Sequence, residues 1–194
     1  MNELNSTYWN NLYKKNLKGW DIGYISTPIK AYIDQLKDRT INILIPGAGS
    51  GYEAGYLYNK GFKNTFYLDF SEIAVKNFKK SNPNFPEENI LYEDFFIHTG
   101  KYDLILELAF FTSIEPEKRE LLANKINELL KIGGKYTGVF FGHEFGNEHP
   151  PFGAVKETYI ELVKDILEIK TLEPAYNSIK PRAGRELFFI FQKH

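Results

Sequence analysis

Residues Ile41 to Gly51 read Ile-Asn-Ile-Leu-Ile-Pro-Gly-Ala-Gly-Ser-Gly, an apolar run that stops in three alternating glycines. No other stretch constrains the fold as much. The run suits a buried strand, and glycines at its end let main chain approach a ligand with no side chain between them. Asp69 then closes a second apolar run, Thr65-Phe66-Tyr67-Leu68-Asp69. An acidic residue spaced about 20 positions on, at the tip of the next strand, is placed to bind two ribose hydroxyls. The pair implies an adenosine-containing cofactor at the carboxyl ends of a parallel sheet.

The glycine spacing narrows the cofactor. A dinucleotide fingerprint needs glycine at position 52, where this chain has Tyr52. A triphosphate loop needs a terminal Gly-Lys-Ser/Thr, which is absent. Gly47, Gly49 and Gly51 give G-x-G-x-G, which fits a cofactor without a pyrophosphate, S-adenosylmethionine being the common one. A plain turn is the other reading of such glycines.

After residue 40, strand and helix patterns alternate. Runs dense in Ile, Leu, Val, Phe or Tyr predict strands at 41–46, 64–69, 89–93, 102–108, 134–141, 166–173 and 186–192. Helices are expected at about 51–60, 71–80, 116–131 and 155–165. Ser71 is a cap for the second, with Glu72 in its first turn. Pro116 suits the start of the third, and Gly133-Gly134 its close. The expected fold is a doubly wound, Rossmann-like α/β sheet of seven strands, the last antiparallel. Residues 6–37 stand apart. Trp9 and Tyr13, four apart, share a helical face, Trp20 sits in the turn Gly19-Trp20-Asp21-Ile22-Gly23, and Thr27-Pro28 opens another helix. These rings either anchor an N-terminal helix to the core or form a lid over the cofactor end of the sheet.

The 194 residues, 43% hydrophobic, suit one domain, with 1–37 as the lid segment and 38–194 as the core. A formal charge of −1 from 24 basic and 25 acidic residues argues against a nucleic-acid partner. The absence of cysteine excludes disulfides, thiolate metal sites and a cysteine nucleophile. The polar start Met1-Asn2-Glu3-Leu4-Asn5-Ser6 lacks a secretion signal's apolar core, and no apolar run approaches the roughly 20 residues that cross a bilayer. A cytoplasmic protein without a membrane partner is the expectation, a monomer being slightly favoured. His143, Glu144, Glu148 and His149 have no recognised ligand spacing, so no metal site is expected.

In chain order, Trp9-x-x-x-Tyr13, Trp20-Asp21-x-Gly23, Pro46-Gly47-Ala48-Gly49 and Leu68-Asp69-Phe70-Ser71-Glu72 resemble the thiopurine S-methyltransferase superfamily, most closely its halide and thiol methyltransferase branch. Tyr102 to Glu107, followed by Phe110 to Arg119, is similar to that branch's Asp-Leu-Ile…Phe-Phe-Cys-Ala-Ile-x-Pro-x-x-Arg stretch. Pro150-Pro151-Phe152 resembles its Gly-Gly-Pro-Pro-Phe/Tyr segment. The resemblance implies an S-adenosylmethionine-dependent enzyme that methylates a thiol, bisulfide, halide or thiocyanate. It places Trp9, Tyr13 and Trp20 in the cofactor lid, Gly47 by the methionine part, Asp69 on the ribose, Asp94 and Phe95 at the adenine, and Glu107 near the methionine moiety. Phe110, Phe111 and Phe152 would wall the acceptor pocket, and Arg119 would face the anion or the cofactor carboxylate.

The chain departs from general methyltransferases in having Ile45 two positions before the first glycine, a gap the family shares. It departs from the family in Tyr13, where many members have Trp, and in Asn147-Glu148-His149. His149 is a candidate proton acceptor for a thiol, its other reading being a surface loop residue. From spacing alone Arg119 reads as a solvated helix residue, and the resemblance moves it to the pocket as the catalytic candidate; the other reading of Glu107 is an ordinary strand-end carboxylate. An oxygen or nitrogen methyltransferase, and a cofactor-binding protein without turnover, stay open as alternatives.

Overall fold

The computed structural model describes residues 4–194, so the first three residues of the polar N-terminus lie outside the described residues. Seven strands lie among the described residues: β1 (Ile43–Pro46), β2 (Thr65–Asp69), β3 (Ile90–Tyr92), β4 (Tyr102–Leu108), β5 (Leu130–Phe141), β6 (Glu168–Pro174) and β7 (Glu186–Gln192). They form one sheet in the order β3-β2-β1-β4-β5-β7-β6. β1 to β5 pair in parallel, and β7 runs antiparallel between β5 and β6. The order reverses beside β1, the place where an open α/β sheet leaves a crevice beyond its strand ends.

Among the described residues, six α-helices accompany the sheet: α1 (Ser6–Lys14), α2 (Thr27–Ile33), α3 (Tyr52–Asn59), α4 (Glu72–Ser81), α5 (Arg119–Leu129) and α6 (Lys156–Val163). Period-two alternation sends successive strand residues to opposite faces. Ile43, Ile45, Leu104 and Leu106 pack with Ile29 of α2, Leu57 of α3 and Phe78 of α4. Leu44 and Ile105 pack with Leu122 of α5 and Tyr159 of α6. Ile45 is buried on the first face, so β1 carries core where many methyltransferases carry an acid.

Ser71 caps α4, its hydroxyl accepting from the Ala74 N–H at 3.2 Å. Pro116 opens a short 3-10 turn, Pro116–Lys118, that leads into α5. Gly133-Gly134 does not close that helix. α5 ends at Leu129, and β5 begins at Leu130, earlier than the expected residue 134. The two glycines lie in an irregularity of the β4–β5 ladder, where Tyr102 faces Leu130 and Leu104 faces Lys135. Gly133 has φ +76°, and a β-carbon on Gly134 would press on the Lys131 and Tyr102 carbonyls. The pair serves a bulge.

Candidate active site

A cavity of about 720 Å³ opens at the carboxyl ends of the central strands. Its floor includes Gly47 after β1, Asp69 at the end of β2, Asp94 and Phe95 after β3, and Ala109 and Phe110 after β4. Its roof is α1 and the following turn, through Tyr8, Trp9, Leu12, Tyr13 and Trp20. The ring of Trp20 meets Trp9 edge-on at 5.3 Å and Tyr13 edge-on at 5.9 Å. The far wall comes from the C-terminal half, with Phe141, Phe145, His149, Pro150, Arg182 and Arg185.

The three glycines have different tasks. Gly47 alone lines the cavity; its φ is +55°, and a β-carbon there would overlap the Phe110 ring. Gly49 lies one layer below. Its N–H donates to Asp69 Oδ2 at 2.9 Å, and its carbonyl accepts from the Tyr67 hydroxyl at 2.8 Å. Gly51 is left-handed at the start of α3, and a β-carbon would strike Phe78, which stacks on Tyr67. Gly51 shapes the turn and does not reach the cavity.

Asp69 is buried, and burial pushes its carboxyl up to about 6 against the pull of backbone N–H donors. Oδ1 accepts from Ser71 N–H at 2.8 Å, and Oδ2 from Gly49. The Phe70 N–H also acts on the carboxylate; with about four acceptor sites in all, Asp69 keeps capacity for a further donor. Tyr13, over Gly49, has its phenol pushed far up by burial and by the Asp69 charge. Asp94 Oδ1 accepts from the Phe96 N–H at 2.8 Å, which sets the loop carrying Phe95, and Phe95 meets Phe110 edge-on at 5.1 Å.

Besides Gly49 and Gly51, four of the sequence-predicted residues stand away from the cavity. Glu107 points to the α5–α6 face, as its parity with Ile105 requires, and is 1% exposed. Its Oε2 accepts from the Phe111 N–H at 2.9 Å, its Oε1 has no partner, and burial raises its carboxyl to about 8. Phe111 is core, against Phe140 and Tyr159. Arg119 is likewise buried. Its Nη2 donates to the Phe152 and Gly153 carbonyls at 3.0 and 3.2 Å, and its guanidinium lies over Phe111 at 5.0 Å. Phe152 is tied by its own N–H to the Thr112 carbonyl at 2.7 Å. Together Glu107, Arg119 and Phe152 brace the floor segment 110–113 from behind. His149 is exposed on the rim, with Nδ1 3.2 Å from the Pro150 carbonyl.

Sequence reasoning missed the guanidinium groups of the far wall. Arg182 pairs with Glu186 at 3.2 Å and donates to the Trp20 carbonyl at 2.8 Å, joining wall to roof. Arg185 is exposed, donates to His143 Nε2 at 2.9 Å, and lies 5.7 Å from the centre of the Phe145 ring. Burial and the Arg185 charge depress the His143 imidazole. No local motif marks either arginine. Ala109, at φ +64° without being glycine, is the other unforeseen floor residue, and left-handed backbone in such a residue is uncommon. Among the described residues, no group of three or more His, Asp or Glu side chains is placed to hold a metal ion.

A sheet of this order, with a glycine turn after β1 and a carboxylate ending β2 beside one cavity, has the architecture of the class I methyltransferases. The model of the family described as thiopurine S-methyltransferase matches residues 4–187, and the chain belongs to that family. Similar relatives include the probable thiol methyltransferase 2 of Arabidopsis thaliana, 28% identical over 96% of this chain and 84% of the relative. Thiocyanate methyltransferase 1 of Brassica oleracea is 25% identical over 92% of this chain and 81% of the relative. Among solved structures, 1,6-didemethyltoxoflavin-N1-methyltransferase of Burkholderia thailandensis, with bound 1,6-didemethyltoxoflavin and S-adenosylhomocysteine, shares the fold. Its TM-score is 0.78 at 15% identity, over 97% of this chain and 86% of that chain.

The protein is therefore an S-adenosylmethionine-dependent methyltransferase. The cavity suits that cofactor: bare main chain at Gly47, and a buried carboxylate at Asp69 with acceptor capacity to spare. Among the described residues, no helix is long and apolar enough to cross a membrane.

Proposed function

We propose that this enzyme methylates a small soft nucleophile: a thiol, bisulfide, halide or thiocyanate. The observation that carries the reading is the far wall, where the Arg182 guanidinium lies 5.5 Å from the centre of the Phe141 ring and Arg185 lies 5.7 Å from that of Phe145. The rings and prolines are apolar, and Arg185, unlike the ion-paired Arg182, leaves a positive charge at the wall. Such an environment suits an anion that is already nucleophilic, since its hydration shell is replaced by fixed dipoles and charges. Arg185 bonds an imidazole in place of a carboxylate, so its charge is not spent on an ion pair with an acid. The names of the Arabidopsis and Brassica relatives, a thiol and a thiocyanate methyltransferase, support the same acceptor class.

S-adenosylmethionine bound in the cavity would supply an electrophilic methyl group, to which an acceptor would bond in line as the carbon–sulfur bond breaks, with S-adenosylhomocysteine as the leaving group. The chain's residues have holding tasks, and alignment of two reactants is a large part of such a barrier. Asp69 takes the ribose hydroxyls, Gly47 admits the methionine part, and Asp94 and Phe95 flank the adenine. Trp9, Tyr13 and Trp20 shield the top. Phe110, packed on Gly47, sets the floor between the two reactants. An anionic acceptor needs no base; for a neutral thiol, His149 at the rim is the available imidazole. Arg119 supports the floor from behind and does not meet the acceptor.

The test is a panel of iodide, bisulfide, thiocyanate and small thiols with methyl-labelled cofactor, read by gas chromatography of the headspace. Volatile labelled product from at least one is expected. Silence across the panel, with cofactor binding intact, would reject the acceptor class.

A further inference from the structure

A chain of hydrogen bonds runs from the roof of the cavity to its floor. Asn10 Oδ1 accepts from the Ser71 hydroxyl at 2.7 Å and from the Ile73 N–H at 3.2 Å. Ser71 N–H donates to Asp69 Oδ1, and Asp69 Oδ2 accepts from Gly49 N–H. Asn10 shares α1 with Trp9 and Tyr13, and no residue of that nine-residue helix is buried. A helix this short is marginal alone and depends on its tertiary contacts. The Ile73 N–H is one of the amides that the first turn of α4 leaves without an intrahelical partner, and the roof supplies that partner.

We propose that Asn10 is a positioning residue that latches the aromatic lid to the loop setting Asp69, so that lid closure and placement of the ribose carboxylate are one event. The proposal rests on the reading of Asp69 as the ribose group. A single oxygen that satisfies two donors links the two parts in one register. Asp21 makes a second tie at the other end of the roof. Its Oδ2 accepts from Ser50, in the glycine turn, at 2.6 Å and from Lys18 at 2.8 Å, and its Oδ1 accepts from Gly23 N–H. The roof is thus fastened to both cofactor loops, and Asn10 is the fastening that leads to Asp69.

The chain's two tryptophans, Trp9 and Trp20, both lie in the roof, so intrinsic fluorescence reports on it directly. Stopped-flow chase of S-adenosylhomocysteine from the full-length protein is the experiment. Asn10→Ala is expected to speed release about tenfold, the factor that one or two net hydrogen bonds supply. Alanine favours helix, so the unliganded melting temperature stays near that of the wild type. Asn10→Asp keeps the acceptor, with a charge suited to a helix N-terminus, and restores slow release. A wild-type release rate in Asn10→Ala, or release from Asn10→Asp as fast as from Asn10→Ala, overturns the latch alone. No binding to the wild type overturns the cofactor-site reading and the latch with it.

Discussion

Glu107→Gln is expected to remove a pH dependence of stability that the wild type carries. The wild-type carboxyl rises from its ordinary 4.5 to about 8 because burial penalises its charged form more than the turn amides favour it. Between those values the folded protein holds a proton that the unfolded chain has released. Stability contributed by this group is therefore present in full below about pH 4.5 and declines by about 1.4 kcal/mol per pH unit as pH rises toward 8. The loss across that window is about 3–5 kcal/mol. Glutamine keeps an oxygen for the Phe111 N–H and cannot ionise. Urea unfolding of both proteins at pH 5, 7 and 8.5 measures the effect. The buried Asp69 is present in both, so the difference between them isolates Glu107. The variant should match the wild type within about 1 kcal/mol at pH 5, an ordinary hydrogen-bond difference, and be clearly more stable at pH 8.5. Parallel pH curves would refute the assignment of a protonated carboxyl beneath the floor.

Other expectations separate holding from packing. Gly47→Ala and Gly51→Ala each place a β-carbon in left-handed backbone and against a ring, so each should lose about 2–4 kcal/mol of stability by urea unfolding. Gly47→Ala alone should also abolish S-adenosylhomocysteine binding by the folded protein; equal affinity in the two variants would contradict the division of labour. Arg119→Lys keeps the charge but loses the planar guanidinium whose Nη2 serves the Phe152 and Gly153 carbonyls and which lies over the Phe111 ring. It should destabilise the protein by about 1–2 kcal/mol with kcat reduced less than about threefold. A hundredfold fall in kcat at unchanged stability would instead put its guanidinium in the reaction.

The central sheet was legible because its signals are local. The β1 run with its glycines, Asp69 ending β2, and the Ser71 cap each declare themselves within a few residues, and β7 runs antiparallel as expected. The Gly133-Gly134 misreading has a physical cause: glycine ends helices and makes bulges, and the pairing of β4 with β5 decided between the two. Which side of a strand end faces a ligand was less legible. Glu107 lies on β4 two positions after Ile105, so alternation already assigns it to the α5–α6 face, yet only assembly of the sheet shows that face to be core. The motif alone suggests pocket positions for Arg119 and Phe111; the fold puts them one layer behind it. Arg182 and Arg185 reach the cavity from more than 110 residues beyond Asp69 through the position of β7, a nonlocal placement that spacing cannot convey.

The most direct measurement is calorimetric titration of S-adenosylhomocysteine into the wild type and Asp69→Ala at pH 7.5 and pH 5. The Asp69 carboxyl stands at about 6 in the unliganded protein, and hydroxyl donors favour its ionised form, so wild-type affinity should fall as pH drops below 6. Asp69→Ala should bind about 100-fold more weakly at pH 7.5, as expected for loss of hydrogen bonds to a charged group, and should lack that fall. Equal affinities of wild type and variant at both pH values would contradict the account.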